Sequence, residues 1–269
     1  NTGFVVGTIG SGGSSGAADE YRLSIDGGST WSAYTSGSNI LTTGATGTII
    51  VQARRTGGDY GCSDTPWNTL CSWTLGSAPL SPSLSSATPV SGTTICAGFN
   101  GPSAVITAGS GGSTDAADLY EYTINNGVTW LPYSSGASIN TTGAVNNVMV
   151  RVSRSGGSYG CTGTGTATVA TWPVAAAPVA PVLSAATPAN GSTVCAGYDI
   201  GTVTGTAGTG GSAGSADEYQ LSIDGGTTYN PYTSGNTIVT TGATGNIIVQ
   251  ARRTGGTFGC SATPWSTIS

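Results

Sequence analysis

The sequence contains no histidine and no lysine; its seven basic residues are all arginine. Without histidine, the side chain best suited to moving protons near neutral pH is missing, and so is the commonest metal ligand. Charge of either sign is scarce, at 7% of residues, and the net charge is −5. An acidic surface without a basic patch repels phosphate backbones, so no nucleic-acid partner is expected. No apolar run approaches the roughly 20 residues of a membrane-spanning helix, and nothing resembles an amphipathic helix. Neither a start methionine nor a signal peptide is present, so the segment reads as mature or excerpted. Gly, Ser and Thr abound, yet disordered chains usually lack aromatic and β-branched residues. Six Trp, eleven Tyr and frequent Val/Ile/Thr alternation predict a folded chain.

What is present is a repeat. Tyr60-Gly61-Cys62 returns as Tyr159-Gly160-Cys161 and as Phe258-Gly259-Cys260, with the cysteines at positions 62, 161 and 260, a spacing of 99 residues. Thr94-Ile95-Cys96-Ala97-Gly98 returns as Thr193-Val194-Cys195-Ala196-Gly197. Solenoid units run about 20–50 residues, so a period this long is a whole domain. Pro-containing stretches at Ser77–Pro82 and Ala176–Pro181 hold the same phase and read as short, stiff connections. They predict repeats over 1–77, 78–176 and 177–269. Asn1 aligns with Asp199 and Ser269 with Cys71, so the first repeat is expected to lack its first strand and the third its last. The chain reads either as an excerpt of a longer array or as a subunit whose ends a neighbour completes by strand complementation.

Within a repeat the pattern is β throughout. Tyr219, Leu221 and Ile223 alternate with Glu218, Gln220 and Ser222, and Ile247, Val249 and Ala251 share one face of a second strand, the period of two of a half-buried strand. About seven short strands per repeat predict an all-β fold of tandem immunoglobulin-like antiparallel sandwiches. A core Trp is expected from either Trp31/Trp130/Tyr229 or Trp73/Trp172.

Cys96 and Cys161 are 65 residues apart, and so are Cys195 and Cys260. One pair per repeat at fixed positions predicts disulfides Cys96–Cys161 and Cys195–Cys260, and hence an extracellular setting. Each would stabilise its repeat by roughly 4 kcal/mol in the chain-entropy model. A metal site is the weaker reading, since no Cys-x-x-Cys accompanies them. Cys71 has no counterpart; a local Cys62–Cys71 bridge and an unpaired or intermolecular thiol are both open.

The most suggestive motif is Ser24-Ile25-Asp26-Gly27-Gly28-Ser29-Thr30-Trp31. It recurs at 123–130, with Asn125 and Gly127, and at 222–229, with Asp224 and Gly226. It resembles the Asp box of sialidases and other glycan-processing propellers, which suggests a glycoside hydrolase as a remote alternative. The plainer reading is a hairpin turn, with Asp or Asn capping the turn and Gly taking φ > 0. Propeller blades need about 40–50 residues, and hydrolysis needs a paired acid and nucleophile in one pocket. No enzymatic activity is expected. Trp31, Trp130 and Tyr34 are candidate stacking platforms for a glycan, with avidity supplied by repetition. Asp19-Glu20, Asp118 and Asp217-Glu218 offer a Ca2+ alternative, but no Asp-x-Asp-x-Asp-Gly loop exists. Ion pairs with Arg55, Arg154 and Arg253, which recur in phase, are preferred; no cofactor is otherwise expected.

Together T-[IV]-C-A-G, D-E-Y-x-x-S-I-D-G-G-x-T-W, T-T-G-A-T-G-x-[IV]-I-V-Q-A-R-R-T-G-G and Y-G-C resemble the tandem immunoglobulin-like repeats of very large surface proteins of Bacteroidota. Those are similar to the SprB-type gliding adhesins exported by type IX secretion. The second repeat departs at Asn125-Asn126 and at Ser153. The resemblance implies an extracellular, cell-surface stalk or filament whose partners are neighbouring repeats or copies of itself. It identifies no ligand.

Overall fold

Alternating side chains in short Gly-punctuated runs make this chain a set of β-strands. The computed structural model describes residues 3–269; Asn1, where the first repeat is expected to begin, lies outside the described residues. Among the described residues there is no helix, and thus none long and apolar enough to cross a membrane.

The first repeat carries β1 (Gly3–Phe4), β2 (Asp19–Ser24), β3 (Ser32–Tyr34), β4 (Asn39–Ile40), β5 (Ile49–Arg55) and β6 (Asn68–Trp73). The second carries β7 (Ser83–Thr88), β8 (Ser103–Thr107), β9 (Asp118–Thr123), β10 (Leu131–Pro132), β11 (Asn147–Arg154) and β12 (Ala167–Pro173). The third carries β13 (Val182–Thr187), β14 (Gly201–Thr206), β15 (Asp217–Ser222), β16 (Asn230–Tyr232), β17 (Thr237–Ile238), β18 (Ile248–Arg253) and β19 (Ser266–Thr267). One four-stranded sheet recurs, in the orders β3-β2-β5-β6, β10-β9-β11-β12 and β16-β15-β18-β19. A smaller sheet accompanies it: β1-β4, β7-β8 and the three-stranded β13-β14-β17. Even irregularities keep the period. Register shifts at Val51/Gln52 and Val150/Arg151, and at Leu84/Ser86 and Leu183/Ala185, mark bulges.

Contacts divide the chain into two compact units. One comprises Asn1–Ser81, Gly109–Asp118 and Ser153–Gly165; the other comprises Pro82–Ala108, Leu119–Val152 and Thr166–Ser269. The second unit holds the largest core. There Ala104 and Ile106 of β8 meet Val148, Val150 and Val152 of β11 and Ala170 and Trp172 of β12, so two sheets bury their apolar faces against each other. Trp172 is fully buried and its indole N–H donates to the Pro89 carbonyl at 2.8 Å. Of the two candidate sets for a core Trp, it is the one in this cluster. The third repeat's core is smaller, built on Val203, Ile238 and Val249. In the other unit Tyr34, Ile40, Ile49 and Val51 form the core.

Candidate functional site

The Asp-box motifs close turns by satisfying their own backbones. Thr30 donates its N–H to Asp26 Oδ1 at 2.9 Å and its hydroxyl to Oδ2 at 2.6 Å, while the Gly28 N–H donates to Ser24 Oγ at 2.8 Å. Asp224 repeats this with Thr228, and Asn125 accepts the Thr129 N–H at 2.9 Å. Gly28, Gly127 and Gly226 take φ of 94°, 87° and 94°, which only glycine adopts freely. The Thr30 hydroxyl, its amide and Ser24 hold Asp26 down to about 2. A carboxylate so occupied stays ionised at neutral pH and is a poor proton donor.

Beside each turn lies the outer face of the four-stranded sheet. In the first repeat the Arg22 guanidinium sits 4.1 Å from the Trp31 ring and 4.3 Å from Trp67, with Arg54 4.8 Å from Trp67. In the second, Arg151 lies 4.0 Å from Trp130; in the third, Arg252 lies 4.6 Å from Trp265. Such stacks contribute about 0.5–1 kcal/mol each at exposed sites. The cross-strand partners change together: Arg22 donates to Gln52, Arg151 to Glu121, and Gln220 to Gln250. In the first repeat, Arg22, Trp31 and Trp67 line an open groove of about 670 Å3 together with Asp19, Glu20 and Tyr21.

The proposed glycan platforms therefore divide. Tyr34 lines the same groove but offers it little face: it is 9% exposed, and its hydroxyl accepts the Val5 N–H at 2.9 Å with the Ser38 carbonyl at 2.7 Å in donating reach. Tyr133 and Tyr232 do the same in their repeats, so this tyrosine ties the two sheets together. Trp31 and Trp130 are half-buried, each stacked by an arginine and close to the glycine of its turn. Sequence pattern did not reveal Trp67, Trp265 or the arginine stacks, because their partners lie on neighbouring strands.

The in-phase ion pairs are present. Arg55 meets Asp19 at 2.9 Å, Arg154 meets Asp118 at 2.7 Å, and Arg253 meets Asp217 at 2.8 Å. Each arginine also donates to a glycine carbonyl, Gly12, Gly111 or Gly210. The Gly10 amide, then Arg55, holds the Asp19 carboxyl below its ordinary range. Among the described residues no three His, Cys, Asp or Glu side chains converge as a metal site.

The cysteines pair differently from expectation. Cys96 is bridged to Cys260, with Cα atoms 5.3 Å apart and a sequence separation of 164, whereas Cys62, Cys71, Cys161 and Cys195 are free thiols. The expected Cys96–Cys161 and Cys195–Cys260 bridges do not form, and the third repeat shows why. Its Cys195 loop is tied to the end where β17 leads into β18, through Gly197 to Thr240 and Thr240 to Asp199. Cys260 follows the far end of β18, where its carbonyl lies against Gly255. The six residues of β18 keep the two about 20 Å apart, and a disulfide needs Cα atoms within about 7 Å. A Cys62–Cys71 bridge fails similarly: Cys71 lies in β6 opposite Val51, while Cys62 lies beyond the end of β5 against Gly57.

Cys96–Cys260 is thus a joint between consecutive repeats. Around it the Cys96 N–H donates to the Phe258 carbonyl at 2.9 Å and the Ala213 N–H to the Thr94 carbonyl at 3.2 Å. Phe99 packs edge-on against Phe258 with ring centroids 5.5 Å apart. Gly259 lies so close to Phe99 that a Cβ there would meet it at 2.7 Å. No protein-family model matches the chain, and no curated protein matches it significantly.

Proposed function

We propose that this chain is a structural, extracellular array of immunoglobulin-like repeats that forms a stalk or filament at a bacterial cell surface. The carrying observation is the Cys96–Cys260 joint, which fastens one repeat to the next by a disulfide, two main-chain hydrogen bonds and an aromatic contact. A protein built to hold and reach gains from such a fastening. Closing a loop of 164 residues constrains the unfolded chain by roughly 5 kcal/mol in the entropy model. An oxidising compartment suits it, and the resemblance to surface-adhesin repeats agrees with it.

The test is small-angle X-ray scattering of the oxidised chain and of its Cys96→Ser/Cys260→Ser variant. The variant, still β-folded by circular dichroism, is expected to show a larger radius of gyration and a broader distance distribution. An unchanged profile would remove the joint as a stiffening element, and the reading with it. The groove at Trp31 and Trp67 favours glycan recognition as a second reading. Glycan-array binding that disappears in Trp31→Ala with the fold intact would establish it.

A further inference from the structure

The Cys96–Cys260 joint has two halves, a turn that enters and a loop that receives, and the chain carries further copies of both. The entering turn recurs at Cys195. There the Tyr198 N–H donates to the Cys195 carbonyl at 3.1 Å, matching Phe99 to Cys96 at 3.1 Å. The receiving loop recurs at Cys62. Ser14 Oγ donates to the Gly57 carbonyl at 2.9 Å and accepts the Tyr60 N–H at 3.1 Å, as Ser212 does with Gly255 and Phe258 at 2.8 and 3.0 Å. The Asp59 N–H reaches the Ser15 carbonyl at 2.8 Å, matching Thr257 to Ala213 at 2.9 Å. Both halves are therefore already shaped for mating.

Neither half is paired within this chain. Cys62 and Cys195 are exposed thiols, and Tyr60, the counterpart of the packed Phe258, is 77% exposed. A Cβ on Gly61 would meet nothing within 4 Å, where one on Gly259 meets Phe99. The loop at Cys161 is built alike, and its Tyr159 is as exposed at 78%; the thiols differ, Cys161 being half-buried and Cys62 exposed, so Cys62 is the more accessible receiver. The hydrogen bonds across the occupied joint are main-chain bonds, so replacing Ile95 by Val194, Phe99 by Tyr198 or Ala213 by Ser15 leaves them available.

We propose that the Cys195 turn of one copy of this chain mates with the Tyr60–Cys62 loop of a second copy, forming a head-to-tail disulfide of the same kind as Cys96–Cys260. This rests on the structural-array reading and names its partner: another copy of the chain. In the covalent step the two S–H bonds break and one S–S bond forms. The two electrons and two protons pass to a small-molecule disulfide such as oxidised glutathione, which leaves as two thiols.

The experiment uses the full chain in a buffer of oxidised and reduced glutathione, read by non-reducing electrophoresis and mass spectrometry of disulfide-linked peptides. Cys62→Ser and Cys195→Ser are each expected to stay monomeric alone, and their equimolar mixture to yield a single dimer linked Cys195 to Cys62. Cys71→Ser is expected to oligomerise like the parent chain. Oligomers that persist in either single variant, or linkage through other cysteines, would overturn the proposal. So would a mixture without dimer in which Cys96–Cys260 has formed, and that result would leave the array reading standing. Failure of Cys96–Cys260 itself to form would overturn both.

Discussion

Tyr133→Phe removes one oxygen atom and tests the tie between the two sheets of the second repeat. The Tyr133 hydroxyl accepts the Ala104 N–H at 2.7 Å and lies 2.9 Å from the Ala137 carbonyl. Ala104 is 0% exposed, so its N–H finds no water when the hydroxyl is gone. The Ala104 carbonyl keeps the Gly136 N–H at 2.8 Å, and Ala137 is exposed enough for solvent to take over. The cost is thus essentially one orphaned buried donor, about 1–3 kcal/mol. That corresponds to roughly a 5- to 150-fold loss of protection.

Tyr232 makes the same bonds, to Val203 and Asn236, but is half-exposed. Water can replace its hydroxyl, and Tyr232→Phe is expected to cost about 1 kcal/mol or less. Hydrogen exchange at the Ala104 and Val203 amides reads each tie locally, and urea unfolding reads the sum. Equal losses in the two variants, or a Tyr133→Phe change below about 0.5 kcal/mol, would refute the argument that burial sets the penalty.

Trp172→Ala is expected to cost about 3–5 kcal/mol in urea unfolding, as for a fully buried aromatic. Trp73→Ala, at the equivalent position but 38% exposed, should cost clearly less, and a reversed order would contradict the core assignment. Asp26 titrates near 2 in the fold against 3.8 ordinarily. Its ionised form therefore stabilises the turn above about pH 4, and that contribution fades as pH falls through about 2. Asp26→Asn copies the residue found at 125 and should abolish this acid sensitivity while keeping the turn at neutral pH. Exchange of the Thr30 amide measures it; acid-dependent loss of protection undiminished in the variant would count against the account.

What could be read from the sequence was what is local. Apolar alternation gave β18 and β15 because a strand's faces follow from neighbours two apart. The Asp26, Asn125 and Asp224 turns were legible because each bonds a residue four positions on. The pairs Arg55–Asp19, Arg154–Asp118 and Arg253–Asp217 were suggested by their shared phase. The cysteine pairing was not legible, and the repeat itself is the reason. Separations of 65 and 164 differ by one period of 99, so pairing within a repeat and pairing across repeats look equally regular. The tie made by Tyr34 was hidden for a related reason: the partner of its hydroxyl, Val5, is 29 residues away, beyond any local pattern.

The long span of the Cys96–Cys260 bridge has a mechanical meaning. Tension along the backbone passes from residue 96 to residue 260 through sulfur, bypassing the Ala176–Pro181 connection and most of two repeats. With 164 residues inside the loop, about 550 Å of fully extended chain is withheld from stretching until the bond is reduced. A peptide bond cut anywhere inside that loop would leave the flanking segments tethered. Toughness in such a chain would be governed by its redox surroundings as much as by the packing of its sheets.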